Sequence, residues 1–161
     1  MVKFTGKEME APFSGNMCVY FEIALFYEVG TSTGHHHSQE KFIAQIDGKT
    51  VEIGVPPARL SLQPIFEKEF ETKKAPEKFT EIFNNVFGEE MPEKVVVKEW
   101  VLLADNDYIV NVKKEKYYLP PLPGSDEPNE ENYTMYEIMD KEYNKEEKEK
   151  YRTPASFWTG G

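Results

Sequence analysis

One cysteine, Cys18, in 161 residues excludes an intrachain disulfide and every zinc site built from several cysteines. At the head of an apolar run it reads as a buried, inert thiol, compatible with a reducing compartment. Positive charge is also scarce. With 19 basic residues against 29 acidic ones the formal net charge is -10. That is the wrong sign for displacing counterions from phosphate, which argues against nucleic acid and disfavours anionic membrane surfaces as partners. No apolar run is long or unbroken enough to span a bilayer. The first ten residues, MVKFTGKEME, lack the apolar core and cleavage pattern of a signal peptide. The chain therefore reads as cytoplasmic, with membrane association only through flanking segments of a longer natural context. Nor is there a Gly-rich phosphate loop. Ser14, in PFSGN, lacks the Gly two residues earlier that a nucleophile elbow requires.

What is plentiful is aromatic. Phe, Tyr and Trp make up 14% of the chain, with 11 Phe and 9 Tyr, which favours strands over a helical bundle. After the turn chemistry of PFSGN, residues 18–28 alternate. Val19, Phe21, Ile23, Leu25 and Tyr27 form an apolar set, whereas Cys18, Tyr20, Glu22, Ala24, Phe26 and Glu28 are mixed. This is the period of a strand with one buried face. Phe42, Ala44 and Ile46 precede Asp47-Gly48, and Val51, Ile53 and Val55 follow it. Asp-Gly between alternating runs predicts a hairpin with a type I′ turn, because both central residues need positive φ. Pro56 and Pro57 end its second strand, and ARLSLQPIF supplies a further short one.

The period then changes. Phe79, Ile82, Phe83, Val86 and Phe87 are spaced by three and four between Pro76 and Gly88, predicting a short amphipathic helix. KVVVKEWVLLADNDYIVNV reads as two strands joined around ADND. Strands with one helical interruption predict a mainly β fold, a small antiparallel barrel or OB-like sandwich with one inserted helix.

From Tyr118 the composition shifts. YLPPLPGSDEPNEEN is Pro-rich and acidic and favours extended backbone. YTMYEIMDKEYNKEEKEKY is rich in helix formers. On a helix Tyr133, Tyr136, Met139 and Tyr143 would share a face, with i,i+4 pairs from Glu137 to Lys141 and Glu146 to Lys150. The expected division is a β domain over 1–119, then a linker and helical or extended tail over 120–161.

Three stretches, taken together, carry a family resemblance. TGKEMEAPFSGNMCVYFEIALF offers Pro12, Ser14, Gly15, Cys18, Val19, Tyr20 and Phe21; DGKTVEIGVPPARL follows; VKEWVLLADNDYIVNV contributes Glu99, Leu102, Asp107 and Tyr108. In this order they resemble the GIDE-type domain, the β-rich segment of a mitochondrial outer-membrane ubiquitin ligase and its prokaryotic relatives. The resemblance covers roughly the first two thirds of the chain. It implies a β-rich recognition domain and carries over no catalytic residues. The family's ligase activity belongs to a separate cysteine- and histidine-rich zinc domain, and its members are usually anchored by transmembrane helices; this chain has neither.

Candidate sites are few. His35, His36 and His37 lie together in GTSTGHHHSQE, with Glu40 nearby, and imidazoles curled inward by a loop bind a divalent metal. Consecutive side chains on extended backbone point to opposite faces, which favours a solvated loop instead. Glu67, Glu69 and Glu71, and Asp126 with Glu127, lack calcium-loop spacing and read as solvated charge. Phe157 and Trp158 form an aromatic pair suited to docking on a partner or folding back on the domain. Gly160-Gly161 matches the end of ubiquitin-like modifiers, although those chains are far shorter and organised differently.

The reading that follows is a non-catalytic protein-binding module, without cofactor, that engages a protein partner or a second copy. The alternatives are a metal-dependent hydrolase using the His35–His37 loop and a self-assembling protein that docks through its C-terminal tail.

Overall fold

The computed structural model describes residues 1–27, 33–57, 59–119, 123–124 and 129–140. In chain order the elements are β1 (Phe4–Gly6), β2 (Met9–Glu10), β3 (Met17–Cys18), β4 (Tyr20–Phe26), β5 (Thr33–His37), β6 (Phe42–Ile46) and β7 (Lys49–Ile53). They continue with β8 (Arg59–Ser61), β9 (Phe66–Glu71), α1 (Glu77–Phe87), β10 (Lys94–Leu102), β11 (Tyr108–Leu119) and β12 (Asn129–Asp140). Among the described residues the fold is mainly β with one helix.

The central sheet runs β5-β4-β10-β9, all antiparallel. Its two faces bury different material. On one, Tyr20, Ala24, Trp100 and Leu102 join Phe4, Phe42, Ala44, Ile53, Leu60, Tyr108 and Ile138 from the sheets β1-β6-β7 and β11-β12-β8. On the other, Phe21, Ile23, Leu25, Val95, Val97 and Val101 pack with Phe13, Phe79 and Phe83 from the residue 11–16 turn and α1. Strand β4 is thus buried on both faces, which corrects the expectation of one buried face. The mixed set of residues points into a core rather than to water.

The expected hairpin forms: β6 pairs with β7 around Asp47 (φ 51°) and Gly48 (φ 76°). Pro76 precedes α1, and Gly88, with φ 59°, closes it by donating its N–H to the Asn84 carbonyl at 2.9 Å. Only a residue tolerant of positive φ fits that stop. The apolar spacing of α1 sends Phe79 and Phe83 into the core. On β5, a Cβ on Gly34 would lie 1.8 Å from Val86 Cγ1, so the absence of a side chain lets α1 approach β5.

Two further expectations are corrected. None of the four sheets closes on itself among the described residues, so there is no barrel. Among the described residues each strand order is open, although Val2, just before β1, bridges Tyr108 at the start of β11. The described part of the stretch expected to be helical, residues 133–140, lies in β12, which pairs with β11 along its whole length and runs parallel to β8. Local helix propensity loses there to a partner strand and to the burial of Ile138 (0% exposed). Strand β12 falls within the part read as linker and tail, yet it contributes to the same core as β1. Residues 141–161 lie outside the described residues.

Candidate functional site

Antiparallel register decides where the histidines go. His37 stands opposite Glu22, His36 opposite Ile23 and His35 opposite Ala24. Directly paired residues share a face, so His35 and His37 project with Glu22 and His36 projects the other way, against Phe21 at 5.9 Å between ring centroids. The expected solvated loop is corrected to an edge strand with three half-buried imidazoles. Burial lowers the pKa of His35 and His36, and the charge of His37 lowers that of His36 further. His37 donates from Nδ1 to the Ser38 carbonyl at 2.7 Å. Among the described residues no group of three or more His, Cys, Asp or Glu is placed to hold a metal.

Two carboxylates of the central sheet are buried, Glu22 in the mixed set that the alternation turned away from the core and Glu99 among the apolar Val95, Val97 and Val101. Glu22 (2% exposed) accepts the Tyr20 hydroxyl at 2.6 Å. Tyr20 has its pKa raised by burial and by that neighbouring carboxylate, which keeps the phenol protonated as the donor. Glu99 (0% exposed) accepts the Phe13 N–H at 2.8 Å and the Ser14 N–H at 2.9 Å, one on each oxygen. It thereby fixes the turn whose other bonds join Ala11 N–H to the Asn16 carbonyl and Gly15 N–H to the Ala11 carbonyl. Cys18 beneath this turn is fully buried, and burial together with the Glu99 charge pushes its thiol up to about 12. Both arrangements build the core; neither opens to a ligand.

An open cleft lies elsewhere among the described residues. A cleft of about 590 Å³ is bounded by the segment 62–65, the turn 103–107, Met1, Val101, Tyr108 and Asp140. The elements are held from below. Trp100 Nε1 donates to the Leu62 carbonyl at 3.0 Å, Ile65 N–H donates to the Glu99 carbonyl at 2.8 Å, and Leu103 N–H donates to the Tyr108 hydroxyl at 2.9 Å. Its mouth combines two chemistries. Met1 (66% exposed) and Ile65 (42% exposed) are large apolar side chains left in water, while Asp105, Asp107 and Asp140 supply carboxylates. Lys3 Nζ lies 3.9 Å from Asp107 and offsets part of its charge, although such an exposed pair adds little stability. Tyr108 has its pKa raised by burial, and the Asp140 charge adds to the effect. The cleft therefore presents acceptors beside apolar surface, the complement of a cation with an apolar neighbour.

Among the sequence candidates, Glu67, Glu69 and Glu71 lie exposed along β9, with Lys98 and Lys74 near the first and last. Ser14 sits in the turn, its hydroxyl accepting the Asn16 N–H at 3.3 Å. Asp126, Glu127, Phe157, Trp158, Gly160 and Gly161 fall outside the described residues. The cleft was missed because its apolar and acidic parts come from four separate stretches of chain. Comparison with family models, curated proteins and solved structures yields no match. The expected GIDE-type kinship is corrected accordingly: no match carries it or supplies a protein-binding identity, and the barrel expected alongside it is absent among the described residues. Among those residues no helix is long and apolar enough to cross a membrane.

Proposed function

We propose that this domain is a binding module whose ligand is a peptide with a cationic side chain next to a large apolar one. The supporting observation is the pairing, at one cleft, of exposed Met1 and Ile65 with Asp105, Asp107 and Asp140. Surface apolar groups scattered singly need no explanation, but two at the mouth of a carboxylate-rimmed cleft form a composite surface. The carboxylates select and orient the cation, and the apolar wall supplies the area whose burial holds the complex. The rigid underside, pinned through Trp100, Glu99 and Tyr108, means that little ordering accompanies binding.

The test uses a fluorescein-labelled Lys-Arg-Phe-Trp amide and its Glu-Glu-Phe-Trp counterpart, titrated by anisotropy against the full chain. The cationic peptide binds at least about tenfold more tightly, and its advantage shrinks with salt. It also weakens in the Asp105→Asn, Asp107→Asn variant. Equal affinity for the two peptides, or no binding of either, overturns the proposal.

A further inference from the structure

The β11–β12 ribbon carries on one face both residues of the cleft and their chemical complement. Directly paired residues share a face, so the pairs Tyr108–Asp140, Val110–Ile138, Val112–Tyr136 and Lys114–Thr134 follow one another along it. Tyr108 and Asp140 line the cleft, and Val110 and Ile138 pack into the core. Beyond them Val112 (46% exposed) and Lys114 stand in water beside half-buried Tyr136. Strand β8 joins β12 only over 137–139, and no other strand of the described residues flanks the ribbon past that point. A cation beside apolar side chains is the complement of Asp105 and Asp107 beside Met1 and Ile65.

We propose that this patch on a second copy occupies the cleft, with Lys114 against Asp105 and Asp107 and Val112 against Met1 and Ile65, so that copies join head to tail. The inference rests on the binding reading above and names the ligand as a ribbon of the same chain. A chain cannot serve its own cleft. Lys114 follows Tyr108 by six residues, about 20 Å of strand, and pairing with β12 at every position keeps β11 extended. Copies with a net charge of -10 repel at a distance. Contact therefore needs a local patch of opposite sign, which Lys114 provides. Two different surfaces that meet make a heterologous contact. Each pair leaves one cleft and one ribbon free, so assembly continues into a ring or chain.

Sedimentation velocity of the full chain at rising concentration tests the idea. The weight-average mass should pass that of a dimer. Lys114→Glu, and separately Asp105→Asn with Asp107→Asn, should each weaken association at least about tenfold, while near-ultraviolet circular dichroism stays unchanged. Mixed together, the two variants should form a one-to-one pair that grows no further, because each such pair has a single intact ribbon and a single intact cleft. Excess Lys-Arg-Phe-Trp amide should return the unaltered assembly to monomers.

A chain that stays monomeric overturns the inference, as does an assembly that ignores these substitutions. Assembly that stops at two copies, or a mixture of the variants that fails to pair, overturns head-to-tail joining. The labelled amide separates these failures from that of the binding reading, since Lys114→Glu leaves the cleft intact and open. Amide binding to that variant, without assembly of the unaltered chain, overturns the inference alone and leaves an unrelated peptide as the ligand. Neither amide binding nor assembly overturns both readings.

Discussion

The two faces of the central sheet bury a glutamate each, and the two glutamates do different work. Glu99 faces the side of α1 and the residue 11–16 turn, where it accepts two backbone amides from a stretch more than eighty residues away in sequence. Glu22 faces the three-sheet core and accepts a phenol two residues away on its own strand. The first is a long-range clamp, without which a turn has no anchor. The second completes a local pair within a face already defined by neighbouring strands. Burying a carboxylate is costly unless hydrogen bonds replace water, and here the replacement comes from backbone on one face and from a side chain on the other.

The comparison is broken most severely at Glu99. Replacing it by Ala strands one buried and one part-buried amide and opens a cavity, so stability should fall by about 4 kcal/mol, read from urea midpoints at constant slope. Tyr20→Phe removes one bond to Glu22 and should cost about 2 kcal/mol in the same measurement. Should the order reverse, the clamp is the lesser of the two devices.

The smallest effect sharpens the contrast through the histidines, one on each face. Burial holds His35 and His36 below the usual histidine range in the fold. Below about pH 6.5 the unfolded chain therefore binds more protons than the native one. Stability should be level above that pH and decline as pH falls through it towards the folded values. Urea titrations between pH 5 and 7.5 should show the slope, and His35→Gln with His36→Gln should flatten it. An unchanged slope would assign the pH response to other groups.

Much of the fold was legible wherever the signal is local. Asp47-Gly48 forces its turn through backbone sterics, and the three-and-four spacing from Phe79 to Phe87 has one consistent reading as a helix. Helix formers in 133–140 misled because pairing with β11 and β8 is a non-local gain that no window of sequence contains. The histidines followed the same rule: Gly, Ser and Thr around them read as loop until β4 provides a partner. Glu99 was readable as the odd charge in the alternating set Val95, Val97, Glu99, Val101, but its partners Phe13 and Ser14 were not. The cleft was out of reach, since Ile65 and Asp105 meet only after β10 and β11 are placed.

Gly34 has an evolutionary corollary. Hydrogen is the largest substituent that its position under Val86 admits, so the helix and the edge strand can change there only in concert. Any relative bearing alanine at this point should trade the valine for something slimmer, and a sequence that widens both describes a differently seated helix.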